Sequence, residues 1–318
     1  MKDGETGMQR IRLGPDELKC MRYIARHGTA RASQIASALS ISKAQLSRVI
    51  SSLVDKGFIS TEKLGLSKNV SLSETKHAAL WRRLALEFGH MPLDKVLSGG
   101  SLEVLSAIGS QLLANRRQVA VSSLVSESTA ALVLESLRQL GIIQKDGAYR
   151  ISPRFQIFAE FTTEFRRYMN QKLALEFAPD AVIVWERNEE FIIESSKSEQ
   201  RDGFLLTGIS AFARFGVPLM GQKSHLFYSP LARKLRLEDA IIHSLLMPNG
   251  NMLPTLLAWK KNESELNMQY LKRAAEKYNI ATAVTEIIDY FESQGSKRPE
   301  RFPPWNEFLA RAREYGIR

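Results

Sequence analysis

Residues 42–59 read SKAQLSRVISSLVDKGFI, and 84 positions later residues 126–143 read SESTAALVLESLRQLGII. In the first stretch Leu46, Val49, Ile50 and Leu53 recur at spacings of three and four, which puts them on one face of a helix. Ser42 stands where a hydroxyl accepts from an unpaired backbone N–H at a helix start, and Gly57 where a left-handed residue ends the helix at little cost. In the second stretch Ser126, Val133, Leu134, Leu137 and Gly141 fill the corresponding places. A cap, a stripe and a stop kept together at one offset predict an internal repeat.

The flanks extend the pattern. Pro15 opens a helix running to about His27, with Leu18, Met21, Ile24 and Ala25 inward, and Ser33 opens a shorter one with Ile35, Ala36 and Leu39. After Gly57, FISTEK and NVSLS flank the loop LGLSK as two strands. Three helices and a β-ribbon predict a winged helix, backed by a fourth helix over about Thr75 to Phe88. Gly89 to Gly100, with Pro92 and Gly99-Gly100, reads as a linker. Beyond it Val104, Leu105 and Ile108 match Cys20, Met21 and Ile24, Val119 and Ala120 match Ile35 and Ala36, and IIQKDGAYRIS gives a shorter ribbon turning at Asp146-Gly147.

From Pro153 the pattern changes. Phe155, Phe158, Phe161, Phe165 and Tyr168 suit one amphipathic helix. AVIVWERNEEFIIES suits a hairpin turning near Asn188-Glu189, and a helix in TGISAFARFG, a strand in SHLFYS and three or four further helices follow. The expected fold is multidomain: two tandem winged helix-turn-helix modules, residues 1–90 and 91–152, and then an α+β regulatory or interaction domain over 153–318.

Composition narrows the classes of function. The 318 residues are 44% hydrophobic and 25% charged, with no apolar run long enough to span a membrane. The opening MKDGETGMQRIRLG lacks the apolar core of a secretory signal, so a cytoplasmic location is expected. The single cysteine, Cys20, excludes an internal disulfide and a cysteine-based zinc cage. Of the net charge of +10, residues 1–90 carry +7, residues 91–152 carry +1 and residues 153–318 carry +2. The first module is therefore the candidate for a polyanionic partner.

On the helix of residues 42–56, the face opposite the apolar stripe carries Ala44, Ser47, Arg48, Ser51 and Ser52, with Lys43 and Gln45 near the start. Such a helix fits a DNA major groove, where Arg or Lys pairs with guanine and Gln with adenine, while small Ala and Ser permit close approach. Ser42, Arg31, Lys63, Lys68 and Asn69 are the expected phosphate contacts, which fix register rather than read sequence. In the repeat, Lys43 gives way to Glu127, Gln45 to Thr129 and Arg48 to Leu132. The second module is accordingly expected to pack, space or dimerise. A homodimer is expected, with Leu132 and the helix over 155–168 as its candidate surfaces. Double-stranded DNA is the expected partner, and no cofactor, metal or catalytic residue is assigned.

Three constellations bear on catalytic chemistry. GVPLMGQKS (216–224) misses a phosphate loop by one inserted residue and lies between a helix and a strand in the wrong order. Asp180, Glu194 and Lys197 echo a metal-dependent nuclease core, but Glu194 and Lys197 are three apart and face opposite ways on a regular strand. His27, His77, His90, His225 and His243 have no ligand spacing. Ser210 and Tyr228 are candidate polar groups of a small-molecule pocket.

The stretch SQIASALSISKAQLSRVISSLVDKGFI and its ribbon resemble MarR-like winged-helix transcription regulators over about 70 residues. LLTGISAFARFGV, a strand and LEDAIIHSLL resemble the C-terminal region of AbiEi-type antitoxins and related prokaryotic regulators. The resemblances imply a prokaryotic regulator of its own promoter. The inserted second module departs from the AbiEi pattern and leaves toxin neutralisation open.

Overall fold

The computed structural model describes residues 11–64, 67–111, 113–201, 203–219, 221–231, 234–247 and 252–317. It begins with α1 (Pro15–His27), β1 (Ala30–Arg31), α2 (Ala32–Leu39), α3 (Lys43–Asp55), β2 (Ile59–Leu64), β3 (Ser67–Leu72) and α4 (Lys76–Glu87). Ser42 caps α3 by accepting from the Gln45 N–H, and Thr75 caps α4 in the same way. Leu46, Val49, Ile50 and Leu53 are buried, so the opposite face of α3 is left to solvent. Full burial of each is worth about 1.5–3 kcal/mol, enough to fix the rotation of this helix. The strands form a three-stranded sheet in the order β1-β3-β2. The tip of the ribbon, Gly65-Leu66 within LGLSK, lies outside the described residues.

The stretch expected to be a linker is a packed connection. It contains α5 (Leu93–Val96), whose Leu93 and Val96, with Leu97 beyond it, are buried at helical spacing. Next come α6 (Ser101–Ser110), α7 (Arg116–Ser122), α8 (Glu127–Gln139), β4 (Ile143–Asp146) and β5 (Ala148–Ile151), the last two a hairpin. Ser126 caps α8 by accepting from the Thr129 N–H.

Helix α9 (Gln156–Phe177) follows a 3₁₀ turn holding Phe155. Its aromatic stripe runs antiparallel to α4. Tyr168 and Phe165 meet His77, Phe161 meets Trp81, and Phe158 and Phe155 meet Phe88, at ring separations of 4.7 to 6.0 Å. One continuous core runs from Ile11 to Met169 and takes in both three-helix groups. The chain accordingly divides between Lys172 and Leu173, inside α9, rather than at 153, because the first half of this helix is part of that core.

The unit from Leu173 onward has a four-stranded antiparallel sheet, order β6-β7-β9-β8, from β6 (Val182–Arg187), β7 (Glu190–Ser195), β8 (Phe204–Leu206) and β9 (Ser224–Tyr228). The first hairpin turns at Asn188 with φ 52°. TGISAFARFG forms a 3₁₀ helix, Gly208–Phe215. Five helices then appear among the described residues: α10 (Leu237–Leu246), α11 (Met252–Lys261), α12 (Met268–Tyr278), α13 (Ala281–Glu292) and α14 (Trp305–Glu314). They enclose Leu256, Ile287, Tyr290 and Phe308.

Candidate nucleic-acid interface

With α3 rotated by its apolar stripe, Lys43, Ala44, Ser47, Arg48 and Ser51 are exposed along one side and Ser42 at its start. Gln45 is held differently from the others. It is half-buried, and its Nε2 donates to Asp16 Oδ2 at 2.6 Å, which ties its amide to α1.

The ribbon divides the remaining candidates between two faces. Lys63 pairs across the strands with Lys68, whereas Asn69 pairs with Glu62 on one side and Arg31 on the other. Side chains alternate along a strand, so Lys63 and Lys68 share one face while Arg31 and Asn69 share the opposite one. Strand β1, too short to register in the sequence, is what brings Arg31 beside Asn69.

None of the side chains of Arg31, Lys43, Arg48, Lys63 and Lys68 forms an ion pair among the described residues. Other cations of this module are matched: Lys56 pairs with Glu17 at 2.7 Å and Arg22 with Asp94 at 3.9 Å. Two lysines directly opposite on a ribbon repel, a cost that an anion between them reverses.

The second group presents the opposite arrangement. Arg116 is tied to Glu127 at 3.2 Å and Arg138 to Glu135 at 3.0 Å, and the Arg138 guanidinium holds the Glu135 carboxyl below its usual range. Leu132, at the place of Arg48, is 75% exposed, and Val121 is 66% exposed. A groove of about 770 Å³ beside α8 includes Leu134, Ile143 and Tyr149 in its lining.

The nuclease-like residues are occupied by structural contacts. Asp180 accepts from Ser195 Oγ at 2.8 Å and the Ser196 N–H at 2.7 Å, which lowers its carboxyl pKa to about 2. Glu194 pairs with Lys223 at 2.7 Å, and Lys197 Nζ donates to the Phe177 carbonyl at 3.2 Å. Among the described residues no three His, Cys, Asp or Glu side chains converge as a metal site. Lys223 of the phosphate-loop-like stretch is thus spent on Glu194, and Met220 there lies outside the described residues. Ser210 Oγ accepts from the His225 N–H, and Tyr228 is buried against Phe191. Burial pushes the Cys20 thiol up to about 12, which leaves it protonated and inert.

Comparison with known proteins agrees with the N-terminal geometry. Residues 13–64 match the MarR family, whose members bind DNA and typically form dimers. This match supports a MarR-like winged-helix regulator that binds DNA. Residues 201–317 match a family described as HVO_2833_C, C-terminal, a description that carries no link to AbiEi. No curated protein and no solved structure matches the chain. Among the described residues no single helix is long and apolar enough to cross a membrane.

Proposed function

We propose that this chain is a sequence-specific, double-stranded DNA-binding transcription regulator, in which α3 of the module over residues 1–90 reads the major groove. The observation that carries this reading is the set of unpaired cations on α3 and the ribbon, Lys43, Arg48 and Lys63 within the MarR-matching segment and Lys68 just beyond it. Arg48 is the base reader, flanked by Lys43, Ala44, Ser47 and Ser51, and Ser42, Arg31, Lys63, Lys68 and Asn69 hold phosphates. Gln45 acts indirectly, by fixing the start of α3 against Asp16.

The group over residues 91–152 is read as a second winged helix that has exchanged its groove-facing charges for Glu127 and Leu132. It serves packing or protein contact, and the α+β unit from Leu173 onward serves regulation. The regulator acts as a homodimer, since one short helix and a ribbon cover little DNA and two half-sites multiply affinity. Binding of the full chain to labelled duplex at a series of salt concentrations tests the reading. A steep fall of affinity with salt is expected, and a salt-independent or absent interaction sinks it.

A second reading, an AbiEi-type antitoxin or scaffold that also binds DNA, draws on the exposure of Leu132 and Val121. Co-purification of a protein partner at fixed stoichiometry favours it.

A further inference from the structure

The turn that ends α3 is built twice in this chain and gripped once. Gly57 and Gly141 take the same left-handed backbone, and each carbonyl accepts from a serine just past the ribbon, Ser73 Oγ for Gly57 and Ser152 Oγ for Gly141. Those shared contacts are what the turn itself needs. Around Gly141 nothing lies within 4 Å of where a side chain would begin, whereas the Tyr168 ring of α9 stands against Gly57.

A second residue of α9 reaches the same turn. Lys172, on the same face of α9 as Tyr168, donates through Nζ to the Asp55 carbonyl at 3.2 Å and to the Asp55 carboxylate. Asp55 is the last residue of α3, where carbonyls lack a partner within the helix. The Tyr168 ring also lies 4.7 Å from that of His77, whose Nε2 donates to the Lys56 carbonyl at 2.9 Å. Helix α1 holds both ends of α3 as well, through Asp16 with Gln45 and Glu17 with Lys56. A helix fastened along one neighbour still swings about that line, and a hold from a second helix removes the swing. The Asp55 side chain is 65% exposed, so its pairing with Lys172 adds little stability and acts mainly on geometry.

We propose that Tyr168 and Lys172 are positioning residues for DNA reading: they set the tilt of α3 so that Arg48 meets a base edge, and they do not touch DNA themselves. The proposal rests on the reading of α3 as the groove-reading helix. Arg48 lies about 9 Å along α3 from Ser42, so a tilt of about 4° displaces it by about 0.6 Å. That exceeds the placement of about 0.5 Å that a recognition contact tolerates. In the second copy Leu132 stands at the place of Arg48, no base has to be met, and the turn at Gly141 is left open. The hold thus follows the reading chemistry and not the repeated fold.

The test compares the full chain's affinity for a duplex carrying the motif that the wild type selects from a random pool with its affinity for a random duplex of equal length. Asp55→Ala/Lys172→Ala removes the hold and keeps the net charge. It should lower the ratio of the two affinities about tenfold, the scale of one lost base contact, and leave random binding and its salt dependence unchanged. Tyr168→Ala should do the same, while Lys172→Arg and Tyr168→Phe, which keep the charge and the ring, should retain the ratio. Circular dichroism verifies that every variant is folded. An unchanged ratio in the double variant overturns the proposal, as does an equal fall for both duplexes. A salt dependence flatter by about 0.9 in its log–log slope overturns it too, since Lys172 would then be a phosphate contact. If the wild type selects no motif, base reading fails and the proposal with it. If Arg48→Ala abolishes the motif while the double variant keeps it, reading stands and the hold alone fails.

Discussion

Ser42 and Ser126 hold the same backbone conformation, φ −66° with ψ 153°, and each accepts a 3.1 Å hydrogen bond from the backbone N–H three residues on. The two helix starts are structurally alike and chemically unlike. Replacing either serine by alanine is expected to cost about 0.5–2 kcal/mol of stability, as for other N-caps. Only Ser42→Ala should also weaken DNA binding. Urea unfolding and duplex titration of the two variants measure both effects, and equal weakening of binding would refute the division of labour.

The lysine pair at the ribbon gives a prediction of opposite signs. Lys68→Ala removes a like-charge neighbour from Lys63, so the free protein is expected to gain about 0.2–1 kcal/mol. The same variant should bind all duplex sequences more weakly and alike, with the salt dependence flatter by about 0.9 in the log–log slope for the one phosphate it no longer neutralises. A variant less stable than wild type, or one whose weakening depends on sequence, contradicts the placement.

Two matched glycines separate backbone strain from packing. Gly57 and Gly141 have φ 71° and 70°, but a Cβ at 57 would stand 2.3 Å from the Tyr168 ring, whereas nothing lies near one at 141. Gly141→Ala is expected to cost about 1–2 kcal/mol from the left-handed backbone alone. Gly57→Ala should cost about 1–3 kcal/mol more, since the ring has to shift. Denaturant midpoints of the two variants make the comparison, and equal destabilisation would show that Tyr168 yields freely.

Histidine 77 predicts how stability changes with pH. It is enclosed by Phe58, Phe165 and Tyr168, its Nε2 donates to the Lys56 carbonyl, and burial lowers its pKa from 6.5 to about 4. The unfolded chain therefore binds more protons between those values. The contribution, about 3 kcal/mol at most, is complete above pH 6.5 and vanishes as pH falls toward 4. Burial of His243 acts with the same sign, while burial of Glu103 raises its carboxyl and acts with the opposite one. The difference between wild type and His77→Phe isolates the effect: unfolding free energy should vary less with pH in the variant over this window.

How much of this is legible in the sequence follows from which interactions are local. The cap at Ser42, the stripe from Leu46 to Leu53 and the stop at Gly57 depend on neighbours within one helix, and α1, α3, the ribbon and α4 fall where the spacing puts them. Strands β1 and β8 leave no signal because two or three residues are too few to show alternation, and their pairing is set by partners far along the chain. Helix α5 reads as linker because Pro92 and the Gly99-Gly100 pair outweigh Leu93, Val96 and Leu97. At the candidate interface, helical rotation is readable, but the bond from Gln45 to Asp16 spans 29 residues and carries no local signal. The split of Lys68 from Asn69 follows from alternation and is readable once the strand is assigned.

The central claim is that α3 reads sequence through Arg48. Selection of duplexes from a random pool by the full chain, sequencing what is retained, tests it most directly. The account predicts a recurring motif that disappears with Arg48→Ala and persists with Leu132→Ala, the specific complex weakening by about 1–3 kcal/mol when a bidentate base pairing is removed. Retention without any motif, or a motif unchanged by Arg48→Ala, would contradict it.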